Sequence, residues 1–297
     1  MELTRPIERI GLIVKRGESR ARPLVERLLA WTSERGVETH LDKRESDPTG
    51  HAAHPAGENL ADWADLIIVM GGDGTMLAAA RTVGARGTPV LGVNFGTLGF
   101  LTEFTDNDLF PALDEIVAGR YEVDPRVVIE AEIERRGRVV ERAMALNDVV
   151  VNKSAIARII EIDCLIDGRF VTFYRADGLI VSTPTGSTAY NLSAGGPILI
   201  PSMGAFVLNP ICPHTLTNRP LVVPDTVTIE LAVRPSGEEV MATIDGQTGI
   251  KLAVSDCIRI RKSDAVFNVI TPRDRNYFEV LRTKLRWGGK IADSGGE

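Results

Sequence analysis

The sequence predicts an α/β domain followed by a mainly antiparallel β domain. Two observations carry that expectation. Up to about residue 124, short apolar runs alternate with helix-period segments, the pattern of a parallel, doubly wound sheet. After Pro125 the texture changes to period-two alternation broken by turn dipeptides, which reads as hairpins. The organisation that follows is 1–124 for the first domain, 125–275 for the second, and 276–297 for a segment able to pack back on the first.

In chain order, Ile10 to Val14 reads as a buried strand, and Arg22 to Glu34 as a helix with Leu24, Val25, Leu28 and Leu29 on one face, stopped by Gly36. Val37 to Leu41 is a second strand, and Asp42 to Asn59 collects Pro, Gly, His and Asp without period, a loop. Its His51 and His54 lack a third ligand nearby and read as exposed loop histidines. Leu66 to Met70 is a strand, a helix runs to about Val83, Pro89 to Asn94 is another strand, and a helix from about Asn107 to Val117 stops at Gly119. Beyond Pro125 the strand-like stretches are 126–135, 139–144, 148–151, 159–166 and 170–174, with Asp167-Gly168 as a hairpin turn. The stretches 221–233, 240–244 and 257–270 continue the β signal, the Pro210 to Pro220 segment is too rich in Pro and polar residues for a core strand, and Tyr277 to Trp287 has near-helical spacing.

Composition excludes several classes. At 297 residues, 44% hydrophobic and 25% charged, the chain has material for two cores in a soluble protein. A net charge of -6 gives no basic footprint, so nucleic acid is not expected as a partner. Arg135, Arg136 and Arg138 read as a solvated turn. Three widely spaced cysteines, Cys164, Cys212 and Cys257, form no zinc, redox or disulfide pattern, which fits a reducing cytoplasm. No signal peptide and no apolar run of membrane-spanning length are present, so no membrane partner is expected.

Two stretches carry chemistry. Gly71-Gly72-Asp73-Gly74-Thr75 joins an apolar run to a helix-forming block. Glycines at such a junction admit a bound group close to the backbone, and the amides and helix dipole attract phosphate, so Gly71, Gly72, Gly74 and Thr75 are candidate phosphate holders. Asp73 is out of place among phosphate-attracting groups unless it binds a metal or takes a proton, which makes it the first candidate for catalysis. By itself such a turn is also consistent with a tight turn and a capping aspartate. Phe95 to Leu101 leaves the next strand end, so both loops border one crevice. The second stretch, Asp177 to Pro197, is rich in hydroxyls and paired glycines, poor core material suited to wrapping a polar ligand, with Tyr190 able to stack on a base.

These residues, with Asn147-Asp148 and Asp245-Gly246-Gln247, resemble the bacterial NAD kinase family along most of the chain, including Leu281 to Gly288, least in Asp42 to Asn59. The glycine turn alone is shared with diacylglycerol and sphingosine kinases and, more distantly, phosphofructokinases; its union with Asn147-Asp148 and Thr183 to Pro197 is what marks NAD kinases. The resemblance implies a Rossmann-like N-terminal domain, a sandwich-like C-terminal domain, and transfer of the terminal phosphoryl of ATP to the adenosine 2′-hydroxyl of NAD, with a divalent metal, magnesium, as cofactor. It implies Asp73 as the catalytic carboxylate and Gly72, Phe100, Asn147, Asp148, Asp177, Thr188, Ala189, Tyr190, Ser193 and Gln247 around NAD. It further implies His214 reaching a neighbouring subunit's site in a homodimer or homotetramer. Many members carry Glu where Asp148 stands, so the carboxylate is kept with a shorter reach. Arg175 occupies a variable place bearing on oxidised against reduced nucleotide.

The chemistry agrees where it can be tested. A ribose diol needs acceptors such as Asp148 and Asp177, which otherwise read as a sheet-edge carboxylate and a turn former. No Gly-Lys-Ser/Thr ending follows the glycine turn, which excludes a P-loop mechanism. The alternatives are a lipid kinase using the same turn, and a non-catalytic dinucleotide-binding protein that would lack Asp73.

Overall fold

A computed structural model describes residues 6–42, 54–55, 58–96, 98–153, 159–215, 217–234, 239–273 and 276–287. In chain order the elements are β1 (Arg9–Val14), α1 (Ala21–Arg35), β2 (Glu38–Leu41), α2 (Leu60–Trp63), β3 (Leu66–Met70), α3 (Asp73–Val83), β4 (Val90–Asn94), β5 (Phe104–Thr105) and α4 (Leu109–Val117). There follow β6 (Glu122–Arg135), β7 (Arg138–Ala145), β8 (Asp148–Lys153), β9 (Ile160–Ile166), β10 (Arg169–Ala176), β11 (Gly178–Ser182) and α5 (Tyr190–Ser193). The chain ends through β12 (Ala205–Ile211), β13 (Leu221–Pro224), β14 (Ile229–Val233), β15 (Val240–Ile244), β16 (Thr248–Leu252), β17 (Cys257–Thr271) and α6 (Tyr277–Leu285). They form two compact units, Pro125–Phe267 being one, and the chain through Asp124 with the stretch from Asn268 onward the other. Residues 268–273 therefore group with the first unit instead of the second. The reason is pairing: Val269 and Ile270 of β17 run parallel to Val90 and Leu91 of β4.

In the first unit β2, β1, β3 and β4 lie side by side, all parallel. Every residue of β3 is buried, as a strand covered on both faces must be. Ile10, Leu12, Ile68, Met70, Leu91 and Val93 of the strands share a core with Leu24, Val25 and Leu28 of α1 and Leu109, Leu113 and Ile116 of α4. The α1 face read from the sequence is thus the packed one, and Gly36 ends the helix at φ 69. His51 lies outside the described residues. His54 is not exposed as expected but buried, its Nδ1 3.1 Å from His40 Nδ1, beside the Trp63 ring that stacks on His40.

The second unit is built of two antiparallel sheets. One runs β13-β12-β11-β8-β15-β16; the other contains β10-β9-β14-β17, with β6 pairing β17 and β7. Burial alternates along β9 and β14, so each turns one face inward. Val149, Val151, Leu179 and Val181 of the first sheet meet Ile162, Cys164, Leu231 and Ile258 of the second in one core, a sandwich. The basic turn is smaller than expected. Arg136 and Gly137 make it at positive φ, while Arg135 donates twice to Asp256, whose side chain is fully buried.

Three expectations needed correction here. The run 221–233 is two strands, β13 and β14, broken at Asp225, whose amide donates to Gly204 O. The Pro-rich segment from Pro210 does not start outside the sheet, because β12 continues through Pro210 to Ile211. Pairing with β13 ends at Leu208, so a missing amide at Pro210 costs no bond on that side. Finally, four hydroxyl-bearing residues of the second stretch, read as material for wrapping a polar ligand, are turned into the protein. Ser182, Thr183, Thr185 and Ser187 are buried. The Thr183 hydroxyl donates to Leu146 O at 2.6 Å and accepts from the Gly186 amide; that of Ser187 donates to Pro184 O and accepts from the Leu199 amide. They hold the loop's own backbone, a buried polar network with its partners in place.

Gly186 shows how tight that network is, since a Cβ there would lie 2.1 Å from the backbone oxygen of Asn147. Neither backbone can yield cheaply. Gly186→Ala is expected to destabilise the fold by about 1–3 kcal/mol, the usual cost of overpacking, read as a lowered midpoint in urea unfolding; a parental midpoint would show that the loop is free to shift.

Candidate active site

The first unit carries the glycine turn. β3 ends at Met70, Gly72 caps α3 in extended conformation, and Asp73 is the first helical residue. Gly71 donates its amide to Val93 O and Thr75 donates to Gly72 O, so two of the amides expected to meet phosphate are committed within the chain. The Asp73 carboxylate binds the neighbouring loop. Oδ2 accepts from the Phe100 amide at 3.0 Å, and Oδ1 accepts from the Leu101 amide at 3.0 Å and from the Thr102 hydroxyl at 3.3 Å. The two strand-end loops read as sharing one crevice are therefore bonded to each other. Gly99 makes the approach possible, because a Cβ there would lie 2.0 Å from Asp73 Oδ1.

In the second unit the organising residue is Asp245. With Gly246 it turns from β15 to β16 at positive φ, the geometry that an Asp-Gly hairpin dipeptide favours. Its carboxylate accepts the amides of Leu146 at 3.0 Å, Asn147 at 2.7 Å and Asp148 at 3.1 Å. That fixes Asn147 and Asp148 at the start of β8. They line a cavity of about 230 Å³ with Val150, Asn152, Ala189, Tyr190, Thr243, Asp245 and Gly246. Tyr190 is 44% exposed, so its ring is not core material. Burial, helped by the neighbouring Asp245 carboxylate, pushes the Asp148 carboxyl up to about 7.

The structure thus brings Asn147, Asp148, Ala189 and Tyr190 together. Other candidates lie outside this lining. Asp177 accepts from Lys153 Nζ at 2.7 Å, exposed Arg175 reaches Glu161 at 3.8 Å, and Thr188 donates its hydroxyl to Thr185 O. Ser193, Gln247 and His214 are exposed, the last anchored through its amide to Arg175 O. Two residues with clear roles had been assigned none: Asp245 and Lys153. The Asp-Gly dipeptide marked the turn at Asp245. Lys153 follows from strand register, since Gly178 pairs with Asn152 and leaves Asp177 beside the next residue of β8.

Two family models match the chain. The family model of the ATP-NAD kinase N-terminal domain matches residues 10–121, and that of the ATP-NAD kinase C-terminal domain matches residues 146–271. The NAD kinase of Citrifermentans bemidjiense is 49% identical over 95% of this chain and 99% of its own. Yeast NADH kinase complexed with NADH is similar in structure, with a TM-score of 0.88 at 25% identity, covering 97% of this chain and 90% of that one. An NAD kinase from Archaeoglobus fulgidus in complex with ATP gives a TM-score of 0.71 at 28% identity, over 94% of this chain and 98% of that one. With both domains matched and a relative aligned along almost its whole length, the chain belongs to the NAD kinase family.

Proposed function

We propose that Asp73 is the proton acceptor when this enzyme moves the terminal phosphoryl group of ATP onto the adenosine 2′-hydroxyl of NAD, and that the Asp148 cavity holds a ribose of the dinucleotide. The hydroxyl oxygen bonds to the terminal phosphorus, the bond from that phosphorus to the bridging oxygen breaks, ADP leaves, and the hydroxyl proton passes to the carboxylate. A ribose hydroxyl is a weak nucleophile at neutral pH, so a fixed acceptor lowers the barrier as the new bond forms. The observation that carries the reading is the Asp73 carboxylate at the start of α3, fixed by two loop amides. The positive end of that helix favours donor phosphate nearby.

Among the described residues no group of three or more His, Cys, Asp and Glu side chains gathers to hold a metal ion. Among those residues no metal site with three or more such protein ligands is assembled. Magnesium commonly binds through substrate phosphates with few protein ligands, so the divalent cation belongs to the donor substrate in this proposal. We place the reaction in the cytoplasm, in keeping with the three free cysteines; no described helix is long and apolar enough to cross a membrane. We also assign the chain to a homodimer or homotetramer in which exposed His214 completes a neighbour's site. Sedimentation tests this: an active monomer at assay concentration refutes it.

Asp73→Asn keeps size and removes the acceptor, so turnover should fall ~10²–10⁴-fold, the usual worth of general base catalysis, with NAD affinity nearly parental by calorimetry. Recovery of turnover with added magnesium would instead make Asp73 a ligand of the donor's cation. Parental turnover at ordinary magnesium would refute both roles.

Asp148 yields a pH prediction. A free aspartate releases its proton near pH ~4, whereas in the folded protein Asp148 keeps it to about 7. The folded state therefore holds the extra proton between those values, so this contribution to stability is full below pH ~4, declines as pH rises toward about 7 and is gone above it. A carboxylate that accepts ribose hydroxyls must shed that proton, so below pH 7 NAD binding releases it and the apparent affinity falls up to about tenfold per pH unit. Asp148→Asn should abolish that dependence, and Asp148→Ala should raise the Michaelis constant for NAD about tenfold to a hundredfold, the worth of a charge-assisted hydrogen bond, with little change for ATP. A pH-independent parental affinity, or an unchanged constant in Asp148→Ala, would remove Asp148 from the site.

A further inference from the structure

The hydrogen bonds around Asp73 have a direction that can be worked out from one backbone amide. Asn94, at the end of β4, accepts the Gly96 amide on Oδ1 at 2.9 Å. An amide N–H can only donate, so this bond orients the Asn94 side chain and leaves its Nδ2 as donor. Nδ2 lies 3.1 Å from the Thr102 hydroxyl oxygen, which must therefore accept. The single hydrogen of Thr102 is then left for Asp73 Oδ1, 3.3 Å away. Thr102 is fully buried. It is also gripped on both sides, since a Cβ on Gly99 would lie 2.4 Å from its hydroxyl oxygen and one on Gly92 would lie 2.9 Å from its methyl.

The relay distinguishes the two oxygens of the carboxylate. Oδ1 receives two donors, the Leu101 amide and the Thr102 hydroxyl, and Oδ2 receives one, the Phe100 amide. A carboxylate oxygen has about two acceptor positions. Among the described residues Oδ1 is filled, and Oδ2 keeps one position open.

We propose that Thr102, directed by Asn94, is a positioning residue that saturates Oδ1 of Asp73 and so makes Oδ2 the oxygen that takes the substrate proton. The inference rests on the reading of Asp73 as proton acceptor. Without the Thr102 hydroxyl both oxygens have an open position, the carboxylate can rock about its bond, and the productive orientation is held for less of the time. Binding of NAD does not depend on that orientation.

The test uses the full chain with ATP, magnesium and NAD. Thr102→Val keeps the methyl over Gly92 and removes the hydroxyl; kcat should drop about tenfold, the worth of one hydrogen bond to a charged group, with the Michaelis constant for NAD within about twofold by the same principle. Thr102→Ser should restore turnover. In an Asp73→Asn background Thr102→Val should add no further loss, because the hydroxyl acts only through the carboxylate. Should Thr102→Val fail to fold, Asn94→Asp replaces it. That side chain still accepts from Gly96 but cannot donate to Thr102, so the hydroxyl turns away from Asp73 and kcat should fall in the same way. Parental kcat in Thr102→Val, or an equal loss in the Asp73→Asn background, overturns the positioning role. Impaired Asp73→Asn beside a parental Thr102→Val overturns that role alone, whereas parental turnover of Asp73→Asn overturns the proton-acceptor reading and the proposal with it.

Discussion

A loop that presents groups to a ligand must still satisfy its own backbone amides, and in each unit a single aspartate does this. Asp73 takes the amides of Phe100 and Leu101, and Asp245 takes those of Leu146, Asn147 and Asp148. Charge-assisted bonds of this kind are stronger than neutral ones and geometrically specific. They turn irregular chain into a fixed platform without adding a helix or strand. Glycines at 99 and 186 serve the same end from the other side, by leaving room for an oxygen where a side chain would stand.

The arrangement has an electrostatic consequence. The carboxylate that anchors Asn147 and Asp148 also sits beside the Asp148 side chain, and together with burial it discourages ionisation there. One bond network both places the Asp148 carboxyl and disfavours its ionisation. Asp73 is placed differently, with donors on both of its oxygens before any substrate arrives. In the proposed reaction the two carboxylates have different tasks: one receives ribose hydroxyls, the other takes a proton in a fixed geometry.

Much of this was legible in the residues. The parallel strands β1, β3 and β4 are apolar runs with no polar face to confuse them, and Asp73 stood out because a carboxylate at a phosphate-attracting turn needs a reason. What was hidden was long-range. The bonds of Asp245 span 97 to 99 residues, and nothing local distinguishes an aspartate that ends a hairpin from one that also clamps a distant loop. The hydroxyls of Ser182, Thr183 and Ser187 misled for a related reason: composition marks them as polar but cannot say that their partners are carbonyls of their own loop and of Leu146. β11 and β12 were missed because ligand-wrapping and Pro-rich textures masked short buried runs. Kinship with NAD kinases was readable early because it rests on short motifs, which survive where long-range pairings leave no trace.

This chain uses ATP to phosphorylate NAD at one hydroxyl. The most direct measurement is to incubate it with NAD, ATP and magnesium and to identify the product by phosphorus NMR, with ADP counted in parallel. A single new phosphate on the adenosine 2′-oxygen and one ADP for each NADP are expected. Phosphate at another oxygen, or ADP released without a phosphorylated dinucleotide, would contradict that.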